Sequence, residues 1–330
     1  MEKREYLKTP VLFMCFNRPE KTEQVFDRIR QACPRKLYVA VDAPREGRQD
    51  DVENCAAVKR IVEKVDWPCE THYLYQDHNL GCTRSGITAW NWLFSHEDRM
   101  IFIEDDGLGS LDTFYFMEDL LEKYKDDERI AYIGGVDYGP KYGNATYFFS
   151  RIPGPTYFMA TWKRTHEKYD YDLEGFASGE KIPDKSHYSS RIERLIYTEN
   201  FRAYVRSIKQ NRRHNTYDLQ MNYLARYYDM ISISPNVNLV SNIGYDGGAN
   251  TNYGNKTNSK FYKEYAERKI IDLPEIIHPE KVEINLDFEK RYFKKRILFL
   301  KPWIQVYGKI LFLEYFGTFY KKWIKPLRRR

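Results

Sequence analysis

An open, mostly parallel α/β sheet covered by helices on both faces is the architecture this sequence predicts, on three observations. Short continuous apolar runs recur along the first 135 residues, as buried parallel strands read. Amphipathic stretches of helical period separate them, and turn residues mark the joins. The chain of 330 residues is also 42% apolar and 30% charged, which supports a sizeable core and argues against wholesale disorder.

The first run, PVLFMCF at 10–16, is a buried strand. Asn17 can cap the helix that follows, Pro19 sits near its first turn, and Val25, Phe26 and Ile29 form its inward stripe. Strands at 36–42, 70–76, 99–106 and 129–135 alternate with helices near 50–65, 84–95 and 111–124. After Gly135 the rhythm changes. Residues 146–150 and 156–161 read as aromatic strands, 185–213 as a long helical stretch, and 231–244 as extended. Residues 217–229 read as a helix with the stripe Tyr217, Met221, Leu224 and Tyr228. The Asn-, Thr- and Gly-rich segment 250–260 reads as a loop.

Composition narrows the function classes. No stretch approaches the ~20 apolar residues of a membrane-spanning helix, and the charged N-terminus lacks a signal-peptide core. The five cysteines have no C-x-x-C spacing, which suggests reduced thiols in a cytoplasmic setting. The seven histidines show no metal-ligand spacing, and no thiol has a discernible base partner. Residues 288–330 hold 13 Lys/Arg and 2 Glu, a net of +11, which leaves −5 on the rest of a chain whose total is +6.

In parallel α/β sheets, ligands bind outside the carboxyl ends of the strands. Polar groups stand at those ends: Asn17 and Arg18 after the first strand, Asp42 after the second, Asn79 and Gly81 after the third, and Glu104-Asp105-Asp106 after the fourth. Three successive carboxylates repel one another unless a cation is near. Mg²⁺ or Mn²⁺, commonly held by one or two carboxylates plus substrate phosphates, is one answer. A solvated acidic turn at the start of the next helix is the other.

Seven segments carry a family resemblance: PVLFMCFNRP at 10–19, VAVDAPR at 39–45, NLGCTRSG at 79–86, MIFIEDD at 100–106, TWKR at 161–164, YDLQ at 217–220 and PNVNLVSNIG at 235–244. In this order they resemble the GT-A nucleotide-sugar glycosyltransferases of the EDD type. The nearest group is the bacterial one related to the Golgi N-acetylglucosaminyltransferase that initiates complex N-glycans. The resemblance covers about residues 10–250 and implies a GT-A domain at 1–250. Its nucleotide-binding half would be 1–135 and its acceptor half 136–250, with a linker at 251–287 and a basic amphipathic tail at 288–330.

The resemblance also implies roles. Asp106 would bind the metal that bridges the donor diphosphate, Asp105 the ribose, Glu104 the donor sugar and Asp42 the uracil edge. Arg18 and Arg84 would lie near the nucleotide and phosphates, with Asn17 beside them, and Asp218 would be the general base of an inverting transfer. Without the resemblance, Asp218 reads equally as a helix cap, Asp42 as a turn opener and Arg84 as a surface residue. Trp162 reads as a core or acceptor-platform aromatic. There are two departures. Relatives often carry a His shortly after NLVSNIG where this chain has Ala249-Asn250-Thr251-Asn252, and Gly107-Leu108-Gly109 replaces bulkier residues, which suggests a more permissive loop.

From Trp303, a helix would gather Trp303, Val306, Tyr307, Ile310, Leu313 and Phe316 between rims of Lys301, Lys309, Lys321 and Lys322. That pattern suits contact with an anionic membrane surface, at ~1 kcal/mol per basic residue. A terminal helix packed on the body reads the same way. The expectation is therefore a cytoplasmic enzyme, peripheral at the inner face of the cell membrane. It would transfer a UDP-linked sugar to a surface-polysaccharide or lipid-linked glycan acceptor. A sugar nucleotidyltransferase is the competing enzyme class, but residues 16–19 lack the Gly-rich loop it needs. A nucleic-acid binder conflicts with the acidic body, and a non-catalytic lectin-like relative with the retained acids.

Overall fold

A computed structural model describes residues 4–210, 217–244, 268–273 and 275–299 of the chain. It divides into two compact units, Met1–Leu286 and Asp287–Arg330. The first opens with β1 (Val11–Cys15), α1 (Pro19–Ala32), β2 (Lys36–Val41), α2 (Gln49–Val62), β3 (Glu70–Tyr75), α3 (Gly81–Phe94) and β4 (Arg99–Glu104). It continues with β5 (Gly107–Gly109), α4 (Leu111–Lys123), β6 (Ile130–Gly134), β7 (Tyr147–Ser150) and β8 (Phe158–Trp162). Then come α5 (Lys163–His166), α6 (Glu174–Ser178), α7 (Arg191–Lys209), α8 (Asp218–Tyr227), β9 (Ile231–Pro235) and β10 (Val240–Asn242). The last described helix, α9 (Leu286–Phe299), leads into the second unit. The tail from residue 300 and the segment 249–252 lie outside the described residues.

Eight strands form one open sheet in the order β3-β2-β1-β4-β8-β6-β9-β7. The first four are parallel. β8 enters antiparallel between β4 and β6, and β7 closes the far edge antiparallel to β9. The sheet is therefore mixed, with the parallel part at the N-terminal half, where short βαβ units fix strand direction. Alternation along the strands divides the core in two. Val11, Phe13 and Cys15 face α1, α2 and α4, whereas Leu12 and Met14 join Trp90 of α3 and Met221 of α8. The expected stripe of α1 is buried as read. That of α8 holds for Tyr217, Met221 and Leu224, but Tyr228 is 37% exposed because the helix has ended.

Three local expectations change. Asn17 does not cap α1: Arg18 holds that position without a side-chain bond, Pro19 opens the helix, and the Asn17 amide donates to Asp51 Oδ1 at 2.5 Å. The stretch 185–213 is not one helix. A short turn at Lys185–His187 precedes α7, whose start is fixed by Ser190 Oγ accepting from Glu193 N at 3.1 Å, a capping arrangement written in Ser-Arg-Ile-Glu. Gly107-Leu108-Gly109 is a strand paired with β10, not a permissive loop. A Cβ on Gly107 would fall on the Tyr157 carbonyl oxygen, and one on Gly109 on the Phe158 ring. Close approach, rather than flexibility, requires glycine there.

The later part of the first unit is held by a buried ion pair. Arg226 of α8 and Glu193 of α7 meet at 2.7 Å with both side chains at most 1% exposed. The Arg226 guanidinium also lies over the Tyr197 ring at 3.7 Å and donates to Arg151 O and Asn222 Oδ1. Replacing Arg226 by Ala strands the Glu193 charge in the interior, at a cost of about 3–5 kcal/mol. Urea unfolding should show that loss for Arg226→Ala and a much smaller one for the double variant Glu193→Leu/Arg226→Met.

Candidate active site

Register alone assembles the site. Met14 pairs with Glu104 across β1–β4, and Cys15 with Val41 across β1–β2. The residues just beyond these pairs, Asn17 and Arg18, Asp42, and Asp105 and Asp106, therefore emerge side by side at the carboxyl edge. Arg18 reaches across, its Nη1 2.6 Å from Asp106 Oδ2 and 3.3 Å from Asp105 Oδ1. Phe16 N donates to Asp105 Oδ2 at 3.3 Å. Asn242 Nδ2, at the end of β10, donates to Asp106 Oδ1 at 3.1 Å, and Gly244 N holds the Asn242 amide oxygen at 2.7 Å. No Cβ fits on Gly244, because it would fall on Asp106 Oδ2.

The electrostatics follow from burial and from like charges. Asp105 and Asp106 are 6% and 8% exposed. Desolvation, with Asp106 beside it, pushes the Asp105 carboxyl up to about 6 against the opposing pull of Arg18. Glu104 rises to about 8, first through burial and then through the charges of Asp106, Asp218 and Asp105. The Tyr217 hydroxyl donates to Glu104 Oε1 and opposes that rise. Burial acts to lower the Arg18 guanidinium, but the three acids outweigh it and hold it firmly charged. With Glu104 largely protonated at neutral pH, Arg18 faces the Asp105–Asp106 pair, and the charge of Lys21 also favours ionised Asp105.

Asp218, the first residue of α8, follows Tyr217, whose hydroxyl reaches Glu104, and so stands beside the same cleft. It is exposed, and Thr156 Oγ1 donates to its Oδ1 at 2.9 Å. Asp42 is differently placed from an open acceptor. Its Oδ1 takes Ala43 N and Leu80 N, each at 3.0 Å, and its Oδ2 takes Gly81 N at 2.9 Å and Asn79 Nδ2 at 3.1 Å. Burial raises its carboxyl while those backbone bonds oppose the rise. Since a carboxylate offers about four lone-pair sites, Asp42 braces the loop into α3, and a base edge would have to take over one of these bonds. Arg84 is exposed on α3 and makes no hydrogen bond or ion pair among the described residues. Asn17 is turned towards Asp51. Trp162 is a core residue at 3% exposure, with the Arg164 guanidinium stacked on it at 4.1 Å.

Reasoning from the sequence gave no role to Tyr217, Thr156 or Asn242. The first two touch predicted acids through pairings of |i−j| 113 and 62, which no local pattern announces. Among the described residues, no group of three or more His, Cys, Asp or Glu forms a ready metal cage. Both Asp106 oxygens have protein partners. The donor set, an oxygen-only carboxylate pair, fits a hard cation shared with a substrate's phosphates and does not fit a protein-only cage.

No family model matches the chain, and no curated protein matches it in sequence. Solved structures with a distant likeness include a mannosyltransferase, PcManGT from Pyrobaculum calidifontis, in complex with GDP-Man and Mn²⁺. It is 13% identical, with a TM-score of 0.37, over 69% of this chain and 71% of that one. S. aureus TarS 1–349 is similar at 11% identity and a TM-score of 0.36, over 68% and 72% of the two chains. The same TarS piece with UDP-GlcNAc gives 13% and 0.33, over 57% and 52%. At such TM-scores the chemistry of this chain rests on its own residues.

Two outcomes test the geometry. Glu104 has a folded value near 8 against an ordinary 4.5, so the folded state holds a proton that the unfolded state releases. Stability therefore rises as pH falls from 8 to 6, by about 2 kcal/mol in metal- and nucleotide-free buffer, and Glu104→Gln flattens that slope in denaturant titrations. Gly107→Ala, overpacked against backbone that cannot yield, should cost about 1–3 kcal/mol by the same measurement.

Proposed function

We propose that the chain is a nucleotide-sugar glycosyltransferase of the GT-A type. It would be divalent-metal assisted and inverting, moving a UDP-linked sugar to a hydroxyl of a surface-polysaccharide or lipid-linked glycan. The observation that carries this reading is the acid pair bound by Arg18 at the carboxyl edge of the central strands, with Asp218 beside the same cleft. The seven ordered segments and the absence of a Gly-rich loop after β1 support it against nucleotidyl transfer.

In this reading Arg18 leaves its carboxylates in part to meet the donor diphosphate, whose charge it matches. Mg²⁺ or Mn²⁺ at Asp106 would supply Lewis-acid neutralisation of the leaving diphosphate. Glu104, held by Tyr217, would contact the donor sugar, and Asp105 the ribose. Asp218, held in place by Thr156, would accept the acceptor hydroxyl's proton, relying on position.

A thermal-shift panel of UDP, GDP, CMP and dTDP sugars, with and without Mn²⁺ or Mg²⁺, tests binding. The expected result is stabilisation by one nucleotide that needs the metal and is lost in Asp106→Ala. Asp218→Asn should keep that shift and lose ~10²–10⁴-fold in kcat; full turnover in that variant would sink the assignment. Among the described residues no helix is long and apolar enough to cross a membrane. We further propose that residues 288–330 hold the enzyme at the anionic inner face of the cell membrane. Washed membranes should then retain the full chain better than one ending at Asp287.

A further inference from the structure

Apart from the acid cleft, the first unit carries a groove between α6 and α7 with a volume of about 490 Å³, within the usual range of a small-ligand site. Phe176, Ile182, Thr198, Arg202, Val205 and Arg206 line it. The α7 residues fall at i, i+4, i+7 and i+8, so one helix face brings them together. Its apolar side is open to solvent: Ile182, at 53%, is the most exposed large apolar side chain among the described residues.

The polar side is cationic. Arg202 and Arg206 stand one turn apart with side chains 60% exposed, and both approach Glu199, at 3.7 and 3.6 Å. A single carboxylate serving two guanidinium groups leaves positive charge at the rim. The other acid of α7, Glu193, faces inward to Arg226.

We propose that this groove docks an anionic lipid, its alkyl chain along Phe176, Ile182 and Val205 and its phosphate on Arg202 and Arg206. An apolar floor beside paired guanidinium groups matches an alkyl phosphate in both halves. Free phosphate would meet only the exposed arginines, which hold anions weakly in water. The chain's own tail has the wrong sign, since residues 288–330 carry a net +11. A single acyl chain anchors a protein only marginally, and stable attachment takes a second signal. The groove would give a lipid contact separate from the tail, and it stands whether or not the cleft transfers sugar.

The test uses the full chain and dodecyl phosphate bearing a terminal photoreactive group, kept below its micelle concentration. Irradiation should label peptides spanning residues 176–182 and 198–206. Dihexanoyl phosphatidylglycerol should compete, and millimolar inorganic phosphate should not. Arg202→Gln/Arg206→Gln should cut labelling at these peptides at least tenfold, and Ile182→Ser several-fold. These positions are exposed, so both variants should keep the parent's circular dichroism. Labelling confined to residues 288–330, undiminished labelling in the double variant, equal competition by inorganic phosphate, or displacement by an acidic peptide in place of the lipid would each overturn the proposal. The double variant should keep any nucleotide-sugar thermal shift, so this proposal and the glycosyltransferase reading fail separately.

Discussion

The carboxyl edge of the sheet is organised around one electrostatic problem, three carboxylates in succession with a single guanidinium to hold them. Like charges about 4 Å apart repel by roughly 4 kcal/mol at the effective dielectric of a protein surface, and four donors gather on the triplet. Arg18, Phe16 N, Asn242 and Tyr217 each contribute one. These donors come from the ends of β1 and β10 and from the residue preceding α8. The packing of distant parts of the chain is thereby tied to the charge balance at one strand end.

The cleft's two sides are held by different means. On the Arg18 side, the parallel register of β1, β2 and β4 sets positions through backbone hydrogen bonds. On the Asp218 side, α8 is fixed by side chains: the Arg226–Glu193 pair, and Gln220 Nε2 donating to Tyr204 OH at 2.6 Å and Tyr171 O at 3.1 Å. Trp90 packs against Tyr217, ring centroids 5.3 Å apart, and links α8 back to α3. Such fixing would serve the base proposed at Asp218, because misplacement by about 1 Å can cost about 10²-fold in rate.

Much of this was legible in the sequence, and the misses share a cause. The apolar runs of β1, β2 and β4, with the helices between them, depend on local pattern and fall within a few residues of their expected bounds. What local pattern does not contain is the partner. The insertion of β8 between β4 and β6 joins residues some sixty positions apart in the chain. Gly-Leu-Gly has weak strand propensity, so β5 becomes a strand only because β10 returns to pair with it. Asn17 carries a cap's chemistry but meets Asp51, itself bound to Arg45 at 2.5 Å. The acids of the site were visible as residues at a strand end, whereas Tyr217, Thr156 and Asn242 become meaningful only once the fold brings them there.

The two glycines after the triplet bear on how this surface can change over generations or in a library. Each lies where the chain at Tyr157–Phe158 leaves no room for a side chain, so variation at 107 and 109 carries a stability cost whatever the selected substrate. Diversification beside the acids is confined to Leu108, whose side chain is half-buried between them.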